Sequence, residues 1–197
     1  RSTLFPYTTL FRSNVYNYGR SANLIKANGN LNIDVKNGAI GKEVGPCADG
    51  VCTGINEDAR DLRKSINTNI AGNVKAIATG EDTVVNIASL DTDLRVDQIK
   101  SDGRVILLAD SSNGLVNQST GLYGTENVVK TSGTSPYNIV NRASDSNNPN
   151  VEGSGISMIA SGSIGESNKA LTFRQNGVET VFYGDDARYG HVPTPSD

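Results

Sequence analysis

The stretch Val74–Ala109, VKAIATGEDTVVNIASLDTDLRVDQIKSDGRVILLA, decides how this chain folds. Val74, Ala76 and Ala78 recur at every second position, as do Val85 and Ile87, Leu94 and Val96, and Val105, Leu107 and Ala109. Side chains of an extended backbone alternate between two faces, so this period reads as short strands with one buried face. The runs begin at Val74, Val85, Leu94 and Val105, spaced by 11, 9 and 11 residues. Such spacing fits a sandwich, a barrel or a β-solenoid. Hairpin dipeptides are scarce between these runs, whereas a meander needs one at each link. Only 8 aromatic residues lie beyond Ser13, too few for a sandwich core, and Val, Ile, Leu and Ala suit the narrow interior of stacked coils. The reading is all-β and solenoidal, with the sandwich as its rival.

Working outward, Gly29-Asn30 leads into Leu31, Ile33 and Val35, with Asn32, Asp34 and Lys36 on the opposite face, and a similar run holds Ile156, Met158 and Ala160. Each is followed by a related tetrapeptide, Gly38-Ala39-Ile40-Gly41 and Gly162-Ser163-Ile164-Gly165, 124 residues apart. The glycines Gly38, Gly41, Gly162 and Gly165 are expected to make sharp corners, with Ile40 and Ile164 turned into the coil. Parallel strands are expected, with Leu31, Ile33, Val74, Val85, Ile87, Leu94, Val96, Val105, Leu107, Ile156 and Ile164 facing inward.

Two segments break the pattern. Asn56–Lys64 is charged, and Ile55, Ala59, Leu62 and Ile66 fall on one helical face, so a short helix laid against the coils is expected. Its acidic start and basic end agree with the helix dipole. Gly121–Asn150 is polar and reads as a long excursion carrying Tyr123 and Tyr137.

Composition narrows the function. Asn (22) and Gly (21) dominate, and both populate tight turns, which disfavours long helices. No apolar run reaches the ~18 residues of a membrane span, so membrane insertion is not expected. A formal charge of −3 without a basic block gives no footprint for nucleic acid. The single histidine, His191, sits among prolines near the end, so multi-histidine metal sites are excluded and an exposed loop residue is expected.

Cys47 and Cys52 are the only cysteines, in CADGVC. The four residues between them let the chain double back, so a structural disulfide is expected, with two free thiols as its alternative. Carboxylates pair at Glu57/Asp58, Glu81/Asp82 and Asp185/Asp186, and Asp82, Asp91, Asp93, Asp97 and Asp102 cluster in sequence. They fall largely at turns, where Asp bonds its local backbone. No calcium repeat, phosphate loop or cysteine–histidine cluster appears, so no catalytic residue, cofactor site or metal site is assigned. The sequon Asn117-Gln118-Ser119 is what chance supplies among so many Asn.

Arg1–Ser13, RSTLFPYTTLFRS, has neither period and resembles the translation of a short-read sequencing adapter. It is expected to lie outside the fold. Without Arg1 and Arg12, 16 basic residues face 21 acidic ones, a net charge of −5. The expected division is an adapter at 1–13, a solenoid stalk at 14–190 and a tail or linker at 191–197.

The runs NGNLNIDVKNGAIGKEVG, CADGVCTGINEDARDLRKSI, VDQIKSDGRVIL and GSGISMIASGSIGESNKALTF, between about Asn28 and Phe173, resemble large leukotoxin-like filamentous adhesins. These are similar to the filamentous haemagglutinin group of two-partner secreted exoproteins. The resemblance implies a fragment of a right-handed parallel β-helix, exported through an outer-membrane secretion partner to the surface of a Gram-negative bacterium. It implies attachment to a host-cell or bacterial surface receptor or glycan. A polysaccharide lyase or hydrolase on the same scaffold is the alternative, with carboxylates stacked on one face.

Overall fold

The computed structural model describes residues 14–16, 24–43, 64–81, 83–111, 136–144 and 147–190, of which 24 and 185–190 are described by backbone alone. The described residues are all-β, without a helix, and form one mixed sheet of twelve strands. These are β1 (Leu24–Ala27), β2 (Leu31–Lys36), β3 (Ile66–Ile70), β4 (Val74–Thr79), β5 (Val84–Leu90) and β6 (Leu94–Ser101). Then follow β7 (Arg104–Asp110), β8 (Ile139–Asn141), β9 (Val151–Gly153), β10 (Gly155–Gly165), β11 (Leu171–Gln175) and β12 (Val178–Gly190).

Up to β11 the chain pairs almost every strand with one that lies beyond its sequence neighbour. β1, β3, β5, β7 and β10 stack in parallel as one run. β2, β4 and β6 form the other, extended by β8, β9 and β11, also in parallel. Parallel neighbours need a crossover, and here the strand of the opposite run is that crossover. No hairpin joins Val74 to Ala109.

Register puts like on like. Val85 pairs with Val105 and that with Ile156; Ile87 pairs with Leu107 and that with Met158. In the other run Leu31 meets Val74 and Val74 meets Val96. These residues merge into one core cluster with Ile139, Val151, Leu171 and Phe173. Of the eleven residues expected inward, nine belong to it, and Leu31 and Ile33 are partly buried and pack against it. The opposite face of β5, β7 and β10 is apolar as well: Val84, Ala88, Leu90, Ile106, Leu108 and Ile159 form a second buried cluster.

Asparagine has a structural use at the turns. Its amide oxygen accepts the backbone N–H of a neighbouring rung: Asn14 from Ala39, Asn30 from Asn73, Asn138 from Ser163 and Asn150 from Thr172, at 2.8–3.0 Å. Ala39 and Asn73 lie between strands, Ser163 and Thr172 within β10 and β11, and at each an amide side chain supplies the acceptor that the backbone N–H needs.

Three expectations need correction. Ile66, placed on a helical face with Ile55, Ala59 and Leu62, opens strand β3 and pairs with Ile87. No helical insertion is present among the described residues, and 44–63 lie outside them. The end of the supposed excursion is strand: Ile139 in β8 is fully buried and pairs with both Leu94 and Ile164. The strands are not all parallel either. β12 turns back from β11 through Asn176-Gly177 and runs antiparallel to β11 and then to β10. Residues 1–13 and 191–197 lie outside the described residues.

Candidate functional site

Because inward and outward residues alternate, a row of stacked core residues forces a row of stacked surface residues beside it. Ile99, Val151 and Phe173 occupy one inward row. The next position on each strand gives Lys100, Glu152 and Arg174, and β12 adds Glu179. The result is a ladder of alternating charge. Lys100 Nζ lies 3.2 Å from Glu152 Oε1, Arg174 Nη1 lies 4.0 Å from Glu152 Oε2, and Arg174 Nη2 lies 3.1 Å from Glu179 Oε2. All four side chains are about a third to a half exposed, so each pair contributes at most about 1 kcal/mol.

The two middle members of the ladder also line an open cleft of about 220 Å³, whose walls include Ser101, Asp102, Glu152, Ser154, Arg174 and Asn176. Asp102 reaches it from the turn after β6, where its Oδ2 accepts the Gly80 N–H at 2.8 Å. The cleft is polar, and its charged groups are largely paired with one another. Its hydroxyl, amide and carboxylate groups could hold a small hydroxyl-bearing group. Among the described residues no three His, Cys, Asp or Glu side chains converge as metal ligands would.

A second cluster lies where β8 meets the end of β10. Arg142 and Glu166 form a two-pronged ion pair, Nη1 to Oε2 and Nη2 to Oε1, the latter at 3.1 Å. The hydrogen bond from Arg142 holds the Glu166 carboxyl below the usual range against the opposing effect of burial, with smaller help from the charges of Lys169 and Arg95. The same bond raises the Arg142 guanidinium.

The corner residues lie as follows. Gly38 is buried after β2, but the left-handed residue there is its neighbour Asn37, at φ 54°. Ile40 is fully buried and bridges Val15 and Val85 in parallel. Gly162 lies inside β10 and donates its N–H to Tyr137 O at 2.8 Å. Ile164 is fully buried against Ile139. Gly41 and Gly165 share a left-handed backbone, φ 75° and 78°. A Cβ on Gly41 would stand 2.6 Å from Asn86 O and 2.8 Å from Lys64 O; on Gly165, 2.1 Å from Phe182 O.

Of the clustered aspartates, Asp93 accepts both the N–H and the side-chain amide of Asn138, Asp97 accepts the N–H of Ser144, and Asp91 sits at φ 60° near the Ser111 hydroxyl. They are not gathered into one site. Cys47, Cys52, Glu57, Asp58, Asp82, Asn117, Tyr123 and His191 lie outside the described residues, as do the side chains of Asp185 and Asp186. Sequence reasoning missed Lys100, Glu152, Arg174 and Glu179. Their signal is an outward charge one position after an inward apolar residue, but Lys100 and Glu152 are 52 residues apart, so no fixed spacing links them.

Comparison with family models, curated proteins and solved structures found no significant match.

Proposed function

We propose that this chain is a segment of a right-handed parallel β-helix serving as stalk and adhesive surface of a large secreted bacterial filament. The observation that carries the reading is the parallel stacking of alternate strands in two runs around one core. That arrangement satisfies the backbone between rungs and can be lengthened rung by rung, which suits a fibre. Its outward rows and turns are free to carry recognition while the inward rows hold the fold. In this reading the full protein leaves the cell through an outer-membrane secretion partner, stays on the surface of a Gram-negative bacterium, and attaches to a receptor or glycan on host or neighbouring cells. The segment itself is not an enzyme and needs no cofactor.

A second reading is favoured by one observation. The cleft brings Asp102 and Glu152 beside Arg174, and a carboxylate pair with a cation is what a polysaccharide lyase or hydrolase uses. One experiment separates the two: the purified chain is offered to cultured epithelial cells, to bacterial cells and to a panel of acidic and neutral polysaccharides. Saturable binding without new reducing ends or unsaturated products is expected. Turnover lost in Asp102→Asn or Glu152→Gln would establish the enzyme, and neither binding nor turnover would overturn adhesion by this segment.

A further inference from the structure

Three corners of the chain meet around the cleft: Asp102-Gly103 between β6 and β7, Gly153-Ser154 where β9 passes into β10, and Asn176-Gly177 between β11 and β12. Main-chain bonds tie them together. Ser154 donates its N–H to Gly103 O at 2.8 Å, and Asn176 donates to Gly153 O at 3.4 Å. Glycine permits this close stacking. A Cβ on Gly103 would stand 1.9 Å from Thr83 O, and one on Gly153 would stand 3.0 Å from Gly103 O.

The backbone of Asp102 is fixed by its N–H on Ala78 O at 3.2 Å, and one carboxylate oxygen, Oδ2, accepts the Gly80 N–H. The other oxygen, Oδ1, has no hydrogen-bond partner among the described residues, and neither has the Ser154 hydroxyl or the Asn176 side-chain amide. All three residues are exposed. An acceptor, a hydroxyl that donates and accepts, and an amide that does both therefore border one space on a fixed backbone. No residue lining that space is aromatic or aliphatic.

We infer that the cleft binds a single neutral sugar ring, the terminal hexose of a glycan. This rests on the adhesive reading of the chain and names the ligand its surface takes. A hexopyranose carries adjacent hydroxyls that each donate and accept, so one ring can satisfy all three corners, whereas a peptide side chain offers one hydroxyl. The space is smaller than the roughly 300–1,000 Å³ of sites for drug-sized ligands, so it takes one ring and the rest of the glycan leaves by the open side. Charge selects against acidic sugars. Glu152 and Arg174 offset each other, and Asp102 remains as a negative charge without an ion-pair partner among the described residues. Binding is without cleavage. Glu152 turns Oε1 to Lys100 at 3.2 Å and Oε2 to Arg174 at 4.0 Å, which leaves neither oxygen placed to carry the proton of a general acid.

Backbone amide shifts of the full chain, followed as the methyl glycosides of glucose, galactose, mannose and N-acetylglucosamine are added, test this. At least one glycoside is expected to move the amides of Gly103, Gly153, Ser154 and Gly177, saturating at about millimolar concentration. The methyl glycoside of sialic acid is expected to move none of them. Asn176→Gly removes the side-chain amide and keeps the positive φ of the turn, and Ser154→Ala removes the hydroxyl and keeps the N–H on Gly103 O. Each is expected to weaken binding about fivefold, and Lys36→Ala on β2 to leave it unchanged. Should one of the two variants misfold, the other carries the test. No saturable shift with any of the four glycosides, shifts away from the three corners, equal binding of the sialic acid glycoside, undiminished binding by the folded variants, or release of free sugar would each overturn the inference. Adhesion is read separately on cells. A chain that binds cells but gives no sugar response in the cleft overturns the inference and leaves adhesion standing, whereas a sugar response without cell binding removes adhesion and upholds the sugar site.

Discussion

At Gly41 the chain must turn sharply away from Ile40 while Asn86 O and Lys64 O press on the space a side chain would fill. Gly165 is enclosed in the same way by Phe182 O. Both also sit at positive φ, so Gly41→Ala and Gly165→Ala combine backbone strain with a clash against main-chain atoms that cannot swing aside. Each is expected to cost about 2–4 kcal/mol, read as a drop in the urea midpoint at constant slope. Gly177 is the internal comparison: it has φ 80° but nothing within 4 Å, so Gly177→Ala should cost only about 1 kcal/mol of strain. Equal losses at Gly177 and Gly165 would remove the packing argument. Glu166 makes a different residue-scale prediction. Its carboxyl is held below the usual range by Arg142, so its share of the stability is complete above the unfolded-state pKa and fades as pH falls through the folded one. The two side chains are about a quarter and a third exposed, so solvent screening limits that share to about 1 kcal/mol. Glu166→Gln should therefore lower the melting temperature at neutral pH, and by less at acid pH, the deficit shrinking as the wild-type carboxyl takes up its proton. An equal deficit at both pH values would mean that the pair contributes nothing ionic.

At the scale of elements, what the sequence reveals depends on whether its signal is local. Val74–Ala109 is legible because a period-two pattern and its punctuation sit within a few residues, and the pairing partners follow at similar spacing. The partners of β7 and β6 are not legible: Val105 meets Ile156 and Lys100 meets Glu152 across an interruption that destroys the spacing. Ile66 shows the converse error. It extends an apolar helical face on paper, yet Ile66-Asn67-Thr68-Asn69-Ile70 is a strand held in parallel between β1 and β5. The reversal into β12, by contrast, was written plainly. Asn176-Gly177 is the strongest two-residue hairpin signal, and both residues adopt the positive φ it requires, 48° and 80°. A hairpin at the end of a parallel stack does not contradict parallel pairing within it, and reasoning from Val74–Ala109 alone passes over that distinction. The ladder of Lys100, Glu152, Arg174 and Glu179 was hidden for the same reason as the β6–β9 pairing, since its members become neighbours only once the strands are stacked.

At the scale of the molecule, contacts among the described strands run mainly between sheet neighbours, so on the proposed solenoid reading stability should be graded along the two runs rather than shared as in a compact globule. Leu107 lies between Ile87 and Met158 and is fully buried, while Ile33, in the terminal strand β2, is partly buried and has a strand neighbour on one side only among the described residues. Leu107→Ala removes contacts on both sides and leaves a closed cavity, which is expected to cost about 2–5 kcal/mol. Ile33→Ala leaves a space that is already open and should cost less than half as much. Native-state hydrogen exchange should show the same gradient. The N–H groups that β2 donates to β4 should exchange through local fraying, those of β5 and β7 only through opening of most of the stack, and those of β10 and β11 should be held late by β12. Uniform protection from β2 to β11 would mean that the rungs open as a single unit, and that the two runs behave as one globular core instead of a stack.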